Sequence, residues 1–256
     1  MNTSTNPSAQ ASPKAALLLI SGMLNQESIW NSVITNIRER LGDRVHIAVA
    51  NVLSQPSIPD MASDAWSAFD GIAADTPCYI AGFSMGGYVA LEMLAHPRRS
   101  LAGAWLISTS AQAESPESSA MREKAIASFQ NDFEKTIQAT AKWGTFEKTP
   151  EQIEPLVAAM RELGPETAIR QTRAIMQRRN LRDALGQLRI PVQVLCGTDD
   201  RITPPKLSED IAALIPGAQL QLVEKSGHMM PFENAKLIAE SMCACMDTHQ
   251  EMENAV

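Results

Sequence analysis

Short runs of continuous apolar residues alternate with longer stretches of helical spacing along this chain. That alternation narrows its possible folds more than any other feature. Ala15–Ser21 (AALLLIS), Arg44–Ala50 (RVHIAVA), Cys78–Phe83 (CYIAGF), Leu101–Ser108 (LAGAWLIS), Pro191–Cys196 (PVQVLC) and Ala218–Val223 each read as a strand. A run without polar alternation suits a strand covered on both faces, as in a parallel sheet. Between these runs, Ser28–Leu41 carries Ile29, Val33, Ile34, Ile37 and Leu41 at helical spacing, Met61–Ala74 sets Ala65, Trp66 and Phe69 on one face, and Met85–His96 is stopped by Pro97. Helices near Leu207–Leu214 and Glu233–Met246 continue the pattern. Strand–helix–strand repetition implies right-handed crossovers. The expected class is therefore α/β, a mostly parallel sheet of about six strands flanked by helices.

The alternation stops once. Residues 111–188 show only helical patterns, broken near Gly144, Pro150 and Gly164–Pro165. An insertion after the fourth strand leaves from the carboxyl edge, where open α/β sheets bind ligands, so a helical lid is expected there. Residues 15–110 and 189–256 form the expected core, and residues 1–14 read as a flexible tail.

Composition excludes several classes. A chain of 256 residues, 45% hydrophobic and 20% charged, has ample material for a core and is not a mostly disordered protein. No apolar stretch is long enough to span a membrane, and the tail lacks the positive start of an export signal. With 22 basic and 29 acidic residues the net charge is −7, which suits a cytoplasmic protein and disfavours phosphate-backbone binding to nucleic acid. Cys78 and Cys196 lie in strand-like runs and read as buried thiols, while Cys243 and Cys245 lack a second ligand pair at zinc spacing. Neither a metal nor an organic cofactor is expected.

Three motifs carry chemistry. Gly82-Phe83-Ser84-Met85-Gly86-Gly87 sits between a strand and a helix, the setting of a nucleophile elbow. So tight a turn needs small residues on either side of the serine. It leaves the hydroxyl exposed and the Met85 N–H free to donate to an oxyanion. A serine needs a base, and four histidines are available. His46 lies in a strand pattern, His96 at a helix end and His249 near the C-terminus. His228, in Ser226-Gly227-His228 directly after the last strand, lies at the same sheet edge as Ser84. The base needs an acid to orient it, and Asp199 or Asp200, after the fifth strand, stands at that edge too.

With these motifs in the order Ser84, Asp, His228, the chain resembles the α/β-hydrolase fold superfamily, in its serine carboxylesterase-like branch with a helical lid. The resemblance runs over residues 15–247 and is weak through the insertion. It implies that Asp200 is the acid, because Gly197-Thr198-Asp199-Asp200-Arg201-Ile202-Thr203-Pro204 is similar to the family's G-x-x-D-x-x-x-P turn. It also implies an oxyanion loop at Ser21-Gly22-Met23, with the Met23 N–H as second donor and Trp30 nearby. Ser21 stands where the family often has histidine. Asn51–Pro56 replaces a commonly Asp/Gly/Ser-rich loop, and no β-hairpin precedes the first strand, so six strands are expected where eight are common.

Ser21, Gly22, Trp30, Met229 and Met230 are expected around the pocket. The methionines flanking the motifs suggest a partly apolar small ester as substrate. Arg170, Arg173, Arg178, Arg179 and Arg182 of the insertion fit either an anionic group or internal salt bridges. Trp143 and Phe146 are expected to pack within the insertion, and Glu92 to be structural. The expected reaction is ester hydrolysis through an acyl-enzyme. A thioesterase, a lactonase, a carbon–carbon bond hydrolase and a slow-turnover ligand receptor are the alternatives on the same residues.

Overall fold

Six strands form one all-parallel sheet in the order β2-β1-β3-β4-β5-β6. They are β1 (Ala15–Ile20), β2 (Val45–Ala50), β3 (Cys78–Phe83), β4 (Gly103–Ile107), β5 (Val192–Gly197) and β6 (Gln219–Val223). The structure is a computed structural model that describes residues 13–254, with side chains through Asp247. Most of the expected tail (1–12) and the His249 side chain lie outside the described residues.

The apolar runs explain the layers. Every residue of β1, β3 and β4 is buried, and alternate residues feed opposite faces. Leu17, Leu19, Tyr79, Phe83, Trp105 and Ile107 face α1 (Asn31–Leu41) and the C-terminal helix. Leu18, Ile20, Ile80 and Leu106 face α2 (Ile58–Ala65) and α3 (Met85–Ala95). Each such side chain contributes roughly 1.5–3 kcal/mol of burial. β6 lies at the sheet edge, with Leu220 and Leu222 exposed.

The stretch between β4 and β5 is entirely helical: α4 (Pro116–Asn131), α5 (Phe133–Gly144), α6 (Pro150–Met176) and α7 (Arg182–Leu185). Local chemistry sets its breaks. The Ser115 hydroxyl caps α4 by accepting the Ser118 N–H at 3.2 Å, with Pro116 opening the helix, and Asp132 caps α5 by accepting from Lys135 at 3.0 Å. Within α6 the backbone kinks at Gly164 (φ 74°), followed by Pro165. After the insertion come α8 (Pro205–Leu214), α9 (Met230–Glu233) and α10 (Ala235–Asn254).

Two helices differ from the sequence reading. The one expected over 61–74 starts earlier, because Ser57 accepts the Asp60 N–H and Pro59 fits the first turn. It continues only as a 3₁₀ turn to Phe69. The helix expected over 28–41 opens with a 3₁₀ turn, Glu27–Trp30. Among the described residues no helix is long and apolar enough to cross a membrane.

Candidate active site

The chain leaves β1 to form β2 on one side, then returns to place β3 on the other. The carboxyl ends of β1 and β3 therefore flank the point where strand order reverses. Ser84 follows β3 there with φ 54° and ψ −115°, a conformation rare for a residue with a side chain. Its N–H donates to the Ile107 carbonyl at 2.9 Å, and its own carbonyl accepts from Gly87 N–H (2.9 Å) and the Thr109 hydroxyl (2.8 Å). The glycines are steric necessities. A Cβ at Gly82 would stand 2.3 Å from the Gly86 carbonyl oxygen, and one at Gly86 would stand 2.1 Å from that of Ile20.

His228 and Asp200 meet this serine. His228 Nε2 lies 2.9 Å from Ser84 Oγ, and its Nδ1 lies 2.9 Å from Asp200 Oδ2. Asp200 is buried, and burial alone would raise its carboxyl. The charge and hydrogen bond of His228, with donors from Thr203, outweigh that and hold it below the usual aspartate range. The N–H groups of Ile202 and Thr203 reach Oδ1 at 2.9 and 2.8 Å, and the Thr203 hydroxyl reaches Oδ2 at 2.9 Å. Of the two candidate acids, Asp200 faces the imidazole, whereas Asp199 accepts from the Thr198 hydroxyl. Cys196 lies 3.9 Å from Asp200 Oδ2, and burial together with that carboxylate pushes its thiol up to about 12, so it stays protonated.

The Ser21-Gly22-Met23 turn abuts the serine. A Cβ at Gly22 would touch Ser84 Cβ at 3.1 Å and the Phe83 ring at 3.0 Å. Met85 is the first residue of α3, so its N–H has no intrahelical acceptor. An open groove of ≈280 Å³ adjoins the turn, lined by Ser21, Asn25, Gln26, Glu27 and residues 49–53. A larger one (≈940 Å³) between β2, Phe69 and Arg98–Arg99 contains none of Ser84, Asp200 or His228.

Of the expected pocket residues, Ser21 lines the smaller groove and Gly22 abuts Ser84, whereas Trp30, Met229 and Met230 are buried. Trp30 is fully buried and packs edge-on against Phe83 (centroids 6.5 Å apart), which in turn lies 5.2 Å from the His228 ring. Trp30 therefore packs behind Phe83 and lines neither groove described above. Met230 is also fully buried, its sulfur accepting from the Ser226 hydroxyl at 2.9 Å. The Ser21 hydroxyl donates to the Gln26 carbonyl at 3.2 Å. Met229 is buried, with its methyl at Gly144 of the insertion. Trp143 is exposed beneath the Arg201 guanidinium (5.4 Å) instead of packing within the insertion. Arg178 pairs with Glu114, and Arg179 pairs with the buried Glu92. Among the described residues no cluster of three His, Cys, Asp or Glu side chains could hold a metal.

Three further residues escape a sequence reading. Thr203 and Glu233 support the histidine–aspartate pair, and Gln171 reaches the turn at Met23–Leu24 from α6. Thr203 lies inside the aspartate turn, where its hydroxyl could have been suspected. The other two leave no local signal.

Comparison with known proteins agrees with this arrangement of elements. A model of the alpha/beta hydrolase family matches residues 17–241. The pimeloyl-[acyl-carrier protein] methyl ester esterase of Neisseria meningitidis (serogroup B, strain H44/76) is 30% identical over 187 residues, covering 69% of this chain and 72% of that protein. Among solved structures, a thermophilic esterase from Thermogutta terrifontis superposes with a TM-score of 0.78 at 24% identity, covering 93% of this chain and 91% of that one. MenH from S. aureus gives 0.81 at 17% identity, covering 94% and 97%. This chain belongs to the alpha/beta hydrolase family.

Proposed function

We propose that this hydrolase cleaves carboxylic esters through an acyl-enzyme on Ser84. The observation that carries the reading is the unbroken row from Ser84 Oγ through His228 to Asp200, with both contacts at 2.9 Å. His228 Nε2 takes the serine proton as the hydroxyl attacks the ester carbonyl. The Met23 and Met85 N–H groups receive the charge that develops on the oxygen. The protonated imidazole then gives its proton to the departing alcohol. Water attacks the acyl-enzyme with His228 again as base. Asp200, held ionised, keeps the Nδ1 proton in place throughout.

Residues 111–188 act as the roof over this site, with the methyl of Met229 and the side chain of Ile202 meeting the end of α5. These apolar groups favour an apolar acyl part, and the Neisseria relative, by name a methyl ester esterase, favours an ester with a small alcohol. The test is hydrolysis of p-nitrophenyl esters from acetate to decanoate, and of the matching methyl esters, by wild type and Ser84→Ala. Turnover that peaks at one chain length and disappears in Ser84→Ala is expected. Equal turnover by the two proteins, or none by wild type on any ester, overturns the reading.

A further inference from the structure

Gln171 lies in α6, is completely buried, and makes two hydrogen bonds to backbone groups of the core. Its Oε1 accepts the Leu24 N–H at 2.9 Å, and its Nε2 donates to the Val52 carbonyl at 3.1 Å. One partner is a donor and the other an acceptor, so the amide fits in one orientation only. Leu24 follows Met23 and has φ 58°, a left-handed conformation costly for a leucine and kept only where surroundings hold it. The peptide joining Met23 to Leu24 is gripped at both polar groups. Its carbonyl accepts from Asn25 Nδ2 at 2.8 Å, and its N–H is taken by Gln171. Beside Gln171, the buried Thr172 hydroxyl stands 3.4 Å from the Met23 sulfur.

We infer that Gln171 is a positioning residue for the oxyanion hole, so the helical insertion completes the machinery that stabilises the transition state. This rests on the reading of Ser84 as nucleophile with Met23 as an oxyanion donor. Clamping the peptide after Met23 restricts the rotations by which the Met23 N–H would turn away from Ser84. The core alone supplies only the Asn25 half of that clamp.

The test compares wild type with Gln171→Met, which keeps the length and removes both hydrogen bonds. Gln171→Glu keeps an acceptor for Leu24 and serves as partial rescue. Four quantities are read: kcat and KM on p-nitrophenyl butyrate, the rate of Ser84 labelling by a fluorophosphonate, and affinity for an alkyl trifluoromethyl ketone, whose adduct with serine places an oxyanion in the hole. A misaimed donor should lower kcat about ten- to hundredfold. KM should stay within about threefold, and ketone affinity and labelling should fall in step with kcat. Gln171→Glu should lose less. If Gln171→Met does not fold, Gln171→Asn, too short to reach either partner, carries the same expectation. A folded variant with wild-type kcat, or one whose kcat falls while ketone affinity holds, overturns the inference alone. A wild type that neither labels at Ser84 nor hydrolyses any ester overturns the underlying reading and the inference with it.

Discussion

The carbonyl oxygen of Gly144 accepts the backbone N–H of His228 at 2.6 Å and that of Met229 at 3.2 Å. Gly144 closes α5, and the last carbonyls of a helix have no intrahelical donors. The loop carrying the histidine uses one of them. Glu233 adds a second tie: Oε1 accepts the Phe146 N–H at 2.6 Å, and Oε2 accepts the Gly227 N–H at 2.8 Å. The insertion is thereby fastened to the histidine loop at three backbone donors besides its tie to the Leu24 N–H.

Glu233→Ala strands two N–H groups, and each unsatisfied donor costs about 1–3 kcal/mol where it is shielded from water. A fall in stability of that order and a lower kcat are expected from denaturant melts and kinetics. Burial raises the Glu233 carboxyl more than its two N–H partners lower it. Its stabilising contribution is therefore complete below the ordinary glutamate value of 4.5 and is lost as pH rises through the higher folded value. Glu233→Gln should remove that loss, so the wild-type stability should fall relative to the variant's as the pH rises above 4.5. Parallel curves would contradict the assignment.

Asp200→Asn should leave a folded protein with kcat lowered about 10⁴-fold, because an amide facing Nδ1 favours the tautomer whose Nε2 is already protonated. The sign for stability is opposite to that of Glu233. The Asp200 carboxyl is lowered, so its contribution is present above the ordinary value of 3.8 and is lost as pH falls through the folded value. Acid titration of stability should be shallower in the variant.

Two glycines separate fold from function. A methyl at Gly86 meets the Ile20 backbone at 2.1 Å, and backbone cannot step aside, so Gly86→Ala should cost about 4 kcal/mol or prevent folding. A methyl at Gly22 meets a ring edge and the Ser84 Cβ at 3.0–3.1 Å. Gly22→Ala should cost about 1–3 kcal/mol and reduce kcat out of proportion to stability. Thermal melts beside initial rates distinguish the two.

Arg178 is nearly buried, paired with Glu114 and stacked 4.8 Å over Tyr88. Arg178→Met should cost about 3 kcal/mol, since it strands part of the Glu114 charge, although Arg122 remains as a second partner at 2.9 Å. KM for neutral and for anionic esters should be unchanged. A selective rise in KM for the anionic ester would instead make this arginine a substrate contact.

Much of the candidate site's geometry was legible because its constraints are local. The elbow shows in Gly82-Phe83-Ser84-Met85-Gly86 because each glycine avoids a backbone clash, and His228 stands out because it follows directly on the last strand. The choice of Asp200 over Asp199 needed the turn motif, since neighbouring residues of like chemistry meet different partners there. Trp30 was misread because position beside a motif does not tell whether a ring faces the pocket or the core behind it. The insertion's arginines were ambiguous for the same reason, as their carboxylate partners lie 64 and 87 residues away.

By itself the sequence determined the strand positions, the all-helical interruption between the fourth and fifth strands, and the three motifs at the sheet's carboxyl edge. Strand burial and turn sterics act over a few neighbouring residues, so they leave a readable local pattern. Only the tertiary structure decided the strand order, the meeting of Ser84 with His228 across 144 residues, and the hold of Gln171 on Leu24 across 147. Those contacts depend on how whole elements stack, and a single buried glutamine or glutamate looks the same in sequence whether its partner is water or a distant peptide group.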